Sequence, residues 1–101
     1  MEEKPIPEFE KYTVTSEGKV YSYKWGRKRE KRQVLSHGNV AILFSKNGYR
    51  YQRSVALLVA NAFIPRPQVS TRVKHKDGDI FNNNINNLEW IVNEDRVRGY
   101  Y

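Results

Sequence analysis

Residues His75-Lys76-Asp77-Gly78-Asp79, followed by Asn82-Asn83 and then by Asn87-Leu88-Glu89-Trp90, decide the fold. Val73 to His75 reads as a strand entering the Asp77-Gly78 turn, Asn82 to Asn87 as an asparagine-rich loop, and Leu88 to Val92 as the returning strand. Leu88 and Trp90 are the apolar positions of that strand and belong to a core. Asn93 can cap a short closing helix through Val97. The result is a strand pair followed by a helix.

Working upstream, Val55, Leu58, Val59, Ala62 and Phe63 recur at helical spacing, with Ser54 as the cap and Pro65 and Pro67 as the stop. Before the helix, Val40, Ile42 and Phe44 alternate up to Asn47-Gly48, the strongest short hairpin signal, and Tyr49, Tyr51 and Arg53 continue beyond it. Along that second strand the alternation suggests one basic face, with Arg50 and Arg53, and one aromatic face. His37, in Ser36-His37-Gly38, falls in a turn. An earlier hairpin joins Tyr12 and Val14 to Val20, Tyr21 and Tyr23 around Ser16-Glu17-Gly18, and Met1 to Glu8 is an extended lead-in. From Lys24 to Arg32 six of nine residues are basic, too charged to pack inside, so this stretch is expected to be an exposed loop.

The chain of 101 residues is one compact domain, and 39% hydrophobic with 13% aromatic content supplies one modest core. Eighteen Lys and Arg against eleven Asp and Glu leave a formal charge of +7, which attracts polyanions such as nucleic acid or an acidic protein surface. The absence of cysteine excludes disulfides, thiolate nucleophiles and Cys-based zinc sites, and fits a reducing cytoplasm. Val55 to Ile64, the longest apolar stretch, is interrupted by Asn61 and falls far short of the roughly 20 residues of a membrane span. No membrane partner is expected, and the acidic, proline-containing start reads as neither a signal peptide nor an anchor.

The segment from His75 to Trp90 resembles the HNH nucleases of the phage and intron homing-endonuclease type. The resemblance extends to Tyr12-Thr13-Val14 and Ser16 to Ser22, similar to the small motif that often precedes this class, and to Val59-Ala60-Asn61-Ala62-Phe63-Ile64-Pro65, similar to its helix. It covers most of the chain, from about Phe9 to Asp95, and implies an α+β fold: small β-hairpins plus one helix (about residues 9–65) leading into a ββα-metal unit (about residues 70–101). By the same resemblance His75 matches the general base that activates water, and Asn87 the asparagine that holds the loop and helps orient that base.

The metal positions depart from the family pattern. Lys74 stands where an aspartate ligand usually precedes the histidine, and Arg96 where the closing helix usually supplies a last asparagine or histidine. Hard cations want oxygen donors, and both residues are themselves cations. Ala56 and Leu57 likewise replace a His-Arg pair common near the start of the family's helix. No metal ligand set and no cofactor are therefore expected, Mg²⁺ entering only if Asp77, Asp79, Glu94 or Asp95 rescues the site.

The expected function is a non-cleaving, phage-type pseudo-nuclease that binds DNA phosphates. Its contacts would come from Lys24, Trp25, Arg27, Lys28, Arg29, Lys31, Arg32, Arg50, Arg53, Lys74 and Arg96, with the indole stacking on a base or sugar. One alternative is a metal-dependent nicking endonuclease using His75. Another is a phage inhibitor that binds a host nuclease or defence protein. Each would act in the cytoplasm of a bacterial host.

Overall fold

The structure, a computed structural model, describes residues 2–66 and 72–91. Three antiparallel sheets surround one helix. Strands β1 (Glu3–Ile6), β2 (Phe9–Thr15), β3 (Val20–Ser22) and β4 (Arg29–Glu30) pair in chain order. Strands β5 (Val34–Ser36), β6 (Asn39–Lys46) and β7 (Tyr49–Ser54) form the second sheet. Helix α1 (Val55–Phe63) follows without a loop, and β8 (Arg72–His75) pairs with β9 (Leu88–Ile91) as a two-stranded ribbon. Each sheet is built only from consecutive antiparallel neighbours, so short turns suffice and no crossover is needed.

The turn residues set the register. Asn47 (φ 52°) and Gly48 (φ 81°) both take left-handed backbone, as a two-residue type I′ hairpin requires, and pair Lys46 with Tyr49. His37 (φ 51°) and Gly38 (φ 78°) repeat the arrangement between β5 and β6. Helix α1 begins where the Ser54 hydroxyl accepts the Leu57 N–H, and Pro65 lies two residues past its end.

The core gathers Val14 and Val20 from the first sheet, Ile42 and Phe44 from the second, Val55 and Val59 from α1, and Leu88 from the ribbon. Burial of a side chain of this size contributes about 1.5–3 kcal/mol. Phe44 is the hub: it stacks on Phe9 at 4.2 Å between ring centroids and meets Tyr12 edge-on at 4.8 Å. Trp90 closes the ribbon onto the helix end, its indole N–H donating to the Ile64 carbonyl at 3.1 Å.

Most expected elements are present, with four differences. The lead-in is extended but also paired: residues 3–6 form β1 on β2. The basic stretch from Lys24 to Arg32 is exposed or half-exposed throughout, yet it is not all loop, because it holds a 3-10 turn at Lys24–Gly26 and strand β4, whose Arg29 pairs with Ser22. Such a strand lacks apolar alternation because both faces meet solvent. Strand β5 is a further element that the sequence pattern does not signal, because its three residues are all half-buried or exposed. The division of β7 into basic and aromatic faces is incorrect: Arg53 is three residues from Arg50, so a period of two puts it on the face of Tyr51, opposite Ile42. The closing helix from Asn93 to Val97, and with it Arg96, lies outside the described residues.

Candidate functional site

The loop between β8 and β9 is tied by side chains. Asn87, buried, accepts the Asp77 N–H at 3.1 Å and donates from its amide to the Asp77 carboxylate and the Asn82 carbonyl, both at 2.9 Å. Asp77 also accepts the Asp79 N–H at 2.8 Å and the Asn82 amide at 3.1 Å. The Asp79 N–H, then the Asn82 and Asn87 amides, hold the Asp77 carboxyl below its usual pKa. One asparagine thus fixes both ends of the excursion, which is why the motif spacing is informative.

That loop presents Asn83, buried at 4% exposure, to His75. His75 Nε2 lies 2.6 Å from Asn83 Oδ1. The Asn83 amide nitrogen faces the Ile80 carbonyl at 3.3 Å, which fixes the amide orientation. A carbonyl oxygen only accepts, so Nε2 is the donor in this pair, and in a neutral ring the lone pair would then be on Nδ1. Gly18 seats Asn83 from the other side: a Cβ on Gly18 would stand 2.8 Å from Asn83 Cβ. The neighbouring Ser16 carbonyl accepts the Ile85 N–H at 2.9 Å. The turn between β2 and β3 is therefore the floor of the His75 loop.

Lys74 alternates with His75 and points to the opposite ribbon face, where it pairs across the strands with Glu89, Nζ to Oε1 3.9 Å. Both side chains are largely solvated, so this pair contributes little to stability.

The cations of the first two sheets divide into two sets. Lys28 is bonded to Glu3 at 3.0 Å, and Arg53 grips Glu8 with two hydrogen bonds at 3.2 and 3.0 Å while lying over Phe9 and Tyr51. These two charges are locally neutralised. Lys24 and Lys31 instead rest over the Tyr12 ring, and together with Trp25, Arg29 and Arg32 they line one concavity of about 310 Å³. Ser45 and Lys31 also line the next concavity, which adds Arg50. Arg27, Arg29, Arg32 and Arg50 form no ion pair among the described residues.

No family model matches the chain. It is 35% identical over 88 residues to a protein named uncharacterized HNH endonuclease L245 of Acanthamoeba polyphaga mimivirus, covering 87% of this chain and 26% of that protein. It is 37% identical over 98 residues to the DNA endonuclease I-HmuI of Bacillus phage SP01, covering 96% of this chain and 56% of that one. A solved structure described as DNA binding and cleavage by the HNH homing endonuclease I-HmuI matches with a TM-score of 0.79 at 32% identity, over 98% of this chain and 57% of that chain. This chain belongs to the HNH homing-endonuclease family. It spans between a quarter and just over half the length of these relatives.

The α+β fold expected from the HNH resemblance is the fold observed. The divalent ion that HNH sites imply does not fit the donors described here. The position before His75 carries an ammonium, both Asp77 oxygens are already acceptors within the loop, and Asp79 accepts the Phe81 N–H at 2.9 Å. Among the described residues no three His, Asp or Glu side chains gather as a metal-holding group. Glu94, Asp95 and Arg96 lie outside those residues.

The structure brings Lys24, Trp25, Arg29, Lys31, Arg32 and Arg50 to adjoining concavities, ties Lys28, Arg53 and Lys74 to carboxylates, and leaves Arg27 exposed. His75 and Asn87 meet through the same loop. Sequence reading missed Asn83 and Gly18. Asn83 was visible as the second residue of the Asn82-Asn83 pair, but its bond to His75 depends on loop closure. Gly18 gave only a turn signal.

Proposed function

We propose that this chain is a non-cleaving, HNH-type DNA-binding protein. The observation that carries this reading is that the residue before His75 supplies no carboxylate to the His75–Asn83 side of the ribbon: it is Lys74, whose ammonium pairs with Glu89 on the opposite face. In-line attack on a phosphodiester builds negative charge on the phosphate and the leaving oxygen, which a Lewis acid must stabilise. A lysine offers charge-assisted hydrogen bonds to a phosphate but does not replace that polarisation. Ground-state binding survives the exchange where cutting does not.

The cations without ion-pair partners support DNA as the ligand, since phosphate contacts supply most non-specific affinity. No helix among the described residues is long and apolar enough to cross a membrane. The name of the I-HmuI relative, a DNA endonuclease, supports the same partner, and a phage-type protein of this kind would work in the cytoplasm of the host cell. Replacing Arg27, Arg29 and Arg32 together by Gln tests the interface. Affinity for duplex DNA should fall, and the slope of log affinity against log salt should flatten by up to about 0.9 for each phosphate that is no longer neutralised. An unchanged slope and affinity would remove this segment from the interface.

A second reading, metal-dependent nicking, has one observation in its favour: Asn83 engages His75 through Nε2, so a neutral ring would present its Nδ1 lone pair as a base. Its signature would be nicks that require Mg²⁺ or Mn²⁺ and vanish in His75→Ala.

A further inference from the structure

We infer that the concavity beside Trp25 receives an unpaired DNA base, with the indole as stacking platform and Arg29, Lys31 and Arg32 holding the flanking phosphates. This rests on the reading of the chain as a DNA binder and names the DNA form that it prefers: a single strand, a gap or a base displaced from its stack.

The first observation is the backbone of Trp25. It stands at φ 63°, ψ 23°, a left-handed conformation that bulky side chains rarely adopt, and the residue is 90% exposed. A strained position that gains no packing does not serve the fold, and glycine would sit there at ease. The inference runs from an observed outlier to a role, as such outliers cluster at binding sites.

The second observation is the composition of the wall. Lys24, Arg29, Lys31 and Arg32 converge with Trp25 on about 310 Å³, at the small end of the roughly 300–1,000 Å³ typical of ligand sites. Glu30 lines the same space. A carboxylate and an indole are poor companions for phosphate alone, but they suit a nucleotide: the ring stacks, the carboxylate accepts from an exocyclic amine, and the cations take the phosphates. In an intact duplex each base is stacked on both faces, so the indole finds no open π-face without opening a step.

The chain carries its own probe. Of its two tryptophans, Trp25 is 90% exposed and Trp90 is 5% exposed, so a change in indole emission on binding reports Trp25. The full chain would be titrated at low salt with a short mixed-sequence single strand and with the blunt duplex of the same sequence. The strand should quench the emission, and Trp25→Ala should bind the strand about tenfold more weakly, with a much smaller effect on duplex. Trp25→Gly should match that weakening while its melting temperature stays equal or rises. Equal weakening on strand and duplex, or none on either, would overturn the inference while leaving DNA binding intact. A lower melting temperature for Trp25→Gly would also overturn it, because the indole would then serve packing. Failure of the unmodified chain to bind either DNA would bring down the DNA-binding reading itself.

Discussion

His75 is held by a side chain rather than by the ribbon alone, and that side chain is held by a glycine from the far end of the sequence. Gly18 adopts φ 88°, and any Cβ there would also meet the Asn83 carbonyl oxygen at 2.9 Å. Gly18→Ala combines backbone strain with displacement of a buried neighbour, and we expect it to cost about 1–3 kcal/mol of stability. The His75 imidazole resonances of this variant should shift as well, since Asn83 bonds the ring at Nε2. Thermal denaturation and proton NMR of the variant would check both, and an unchanged melting point with unchanged His75 signals would detach the turn from the site. At this scale the sequence was half legible. His75 and Asn87 stand in a recognisable spacing, whereas Gly18 looks like any turn glycine until the tertiary structure puts Asn83 against it.

Strand β1 shows what patterning alone does not reveal about an element. Lys4 and Pro5 give it no apolar alternation, yet Glu3 pins it by accepting hydrogen bonds from Thr13 and Tyr23 and by pairing with Lys28. The bond from Thr13 above all, then those from Tyr23 and Lys28, lowers the Glu3 carboxyl from its ordinary 4.5 to about 2. A depressed folded pKa stabilises the native state above the unfolded value, and that stabilisation is lost as pH falls from about 4.5 through about 2. Glu3→Gln should therefore be less stable than the parent at neutral pH by about 1 kcal/mol. The two should converge in acid, as read by urea denaturation across pH. Parallel curves would show that the carboxylate does not hold β1. By contrast, β6, β7 and α1 were legible because Asn47-Gly48, the alternating Val40, Ile42 and Phe44, and the Ser54 cap are local signals.

At the scale of the whole molecule, a formal charge of +7 says only that polyanions are attracted. The fold refines that by pairing Lys28 with Glu3 and Arg53 with Glu8, while Arg29, Arg32 and Arg50 remain toward adjoining concavities. Such sorting was not legible in the sequence because each carboxylate partner lies 25 or more residues away. The departure at Lys74 was legible, since it concerns residue type beside a recognisable histidine. Its consequence is decided most directly by incubating the pure protein with supercoiled plasmid at low salt in Mg²⁺, Mn²⁺ or EDTA and reading mobility and nicking on one gel. Non-cleaving binding predicts retarded but intact plasmid in every lane. Metal-dependent nicks that disappear in His75→Ala would contradict it and make the chain a working nuclease.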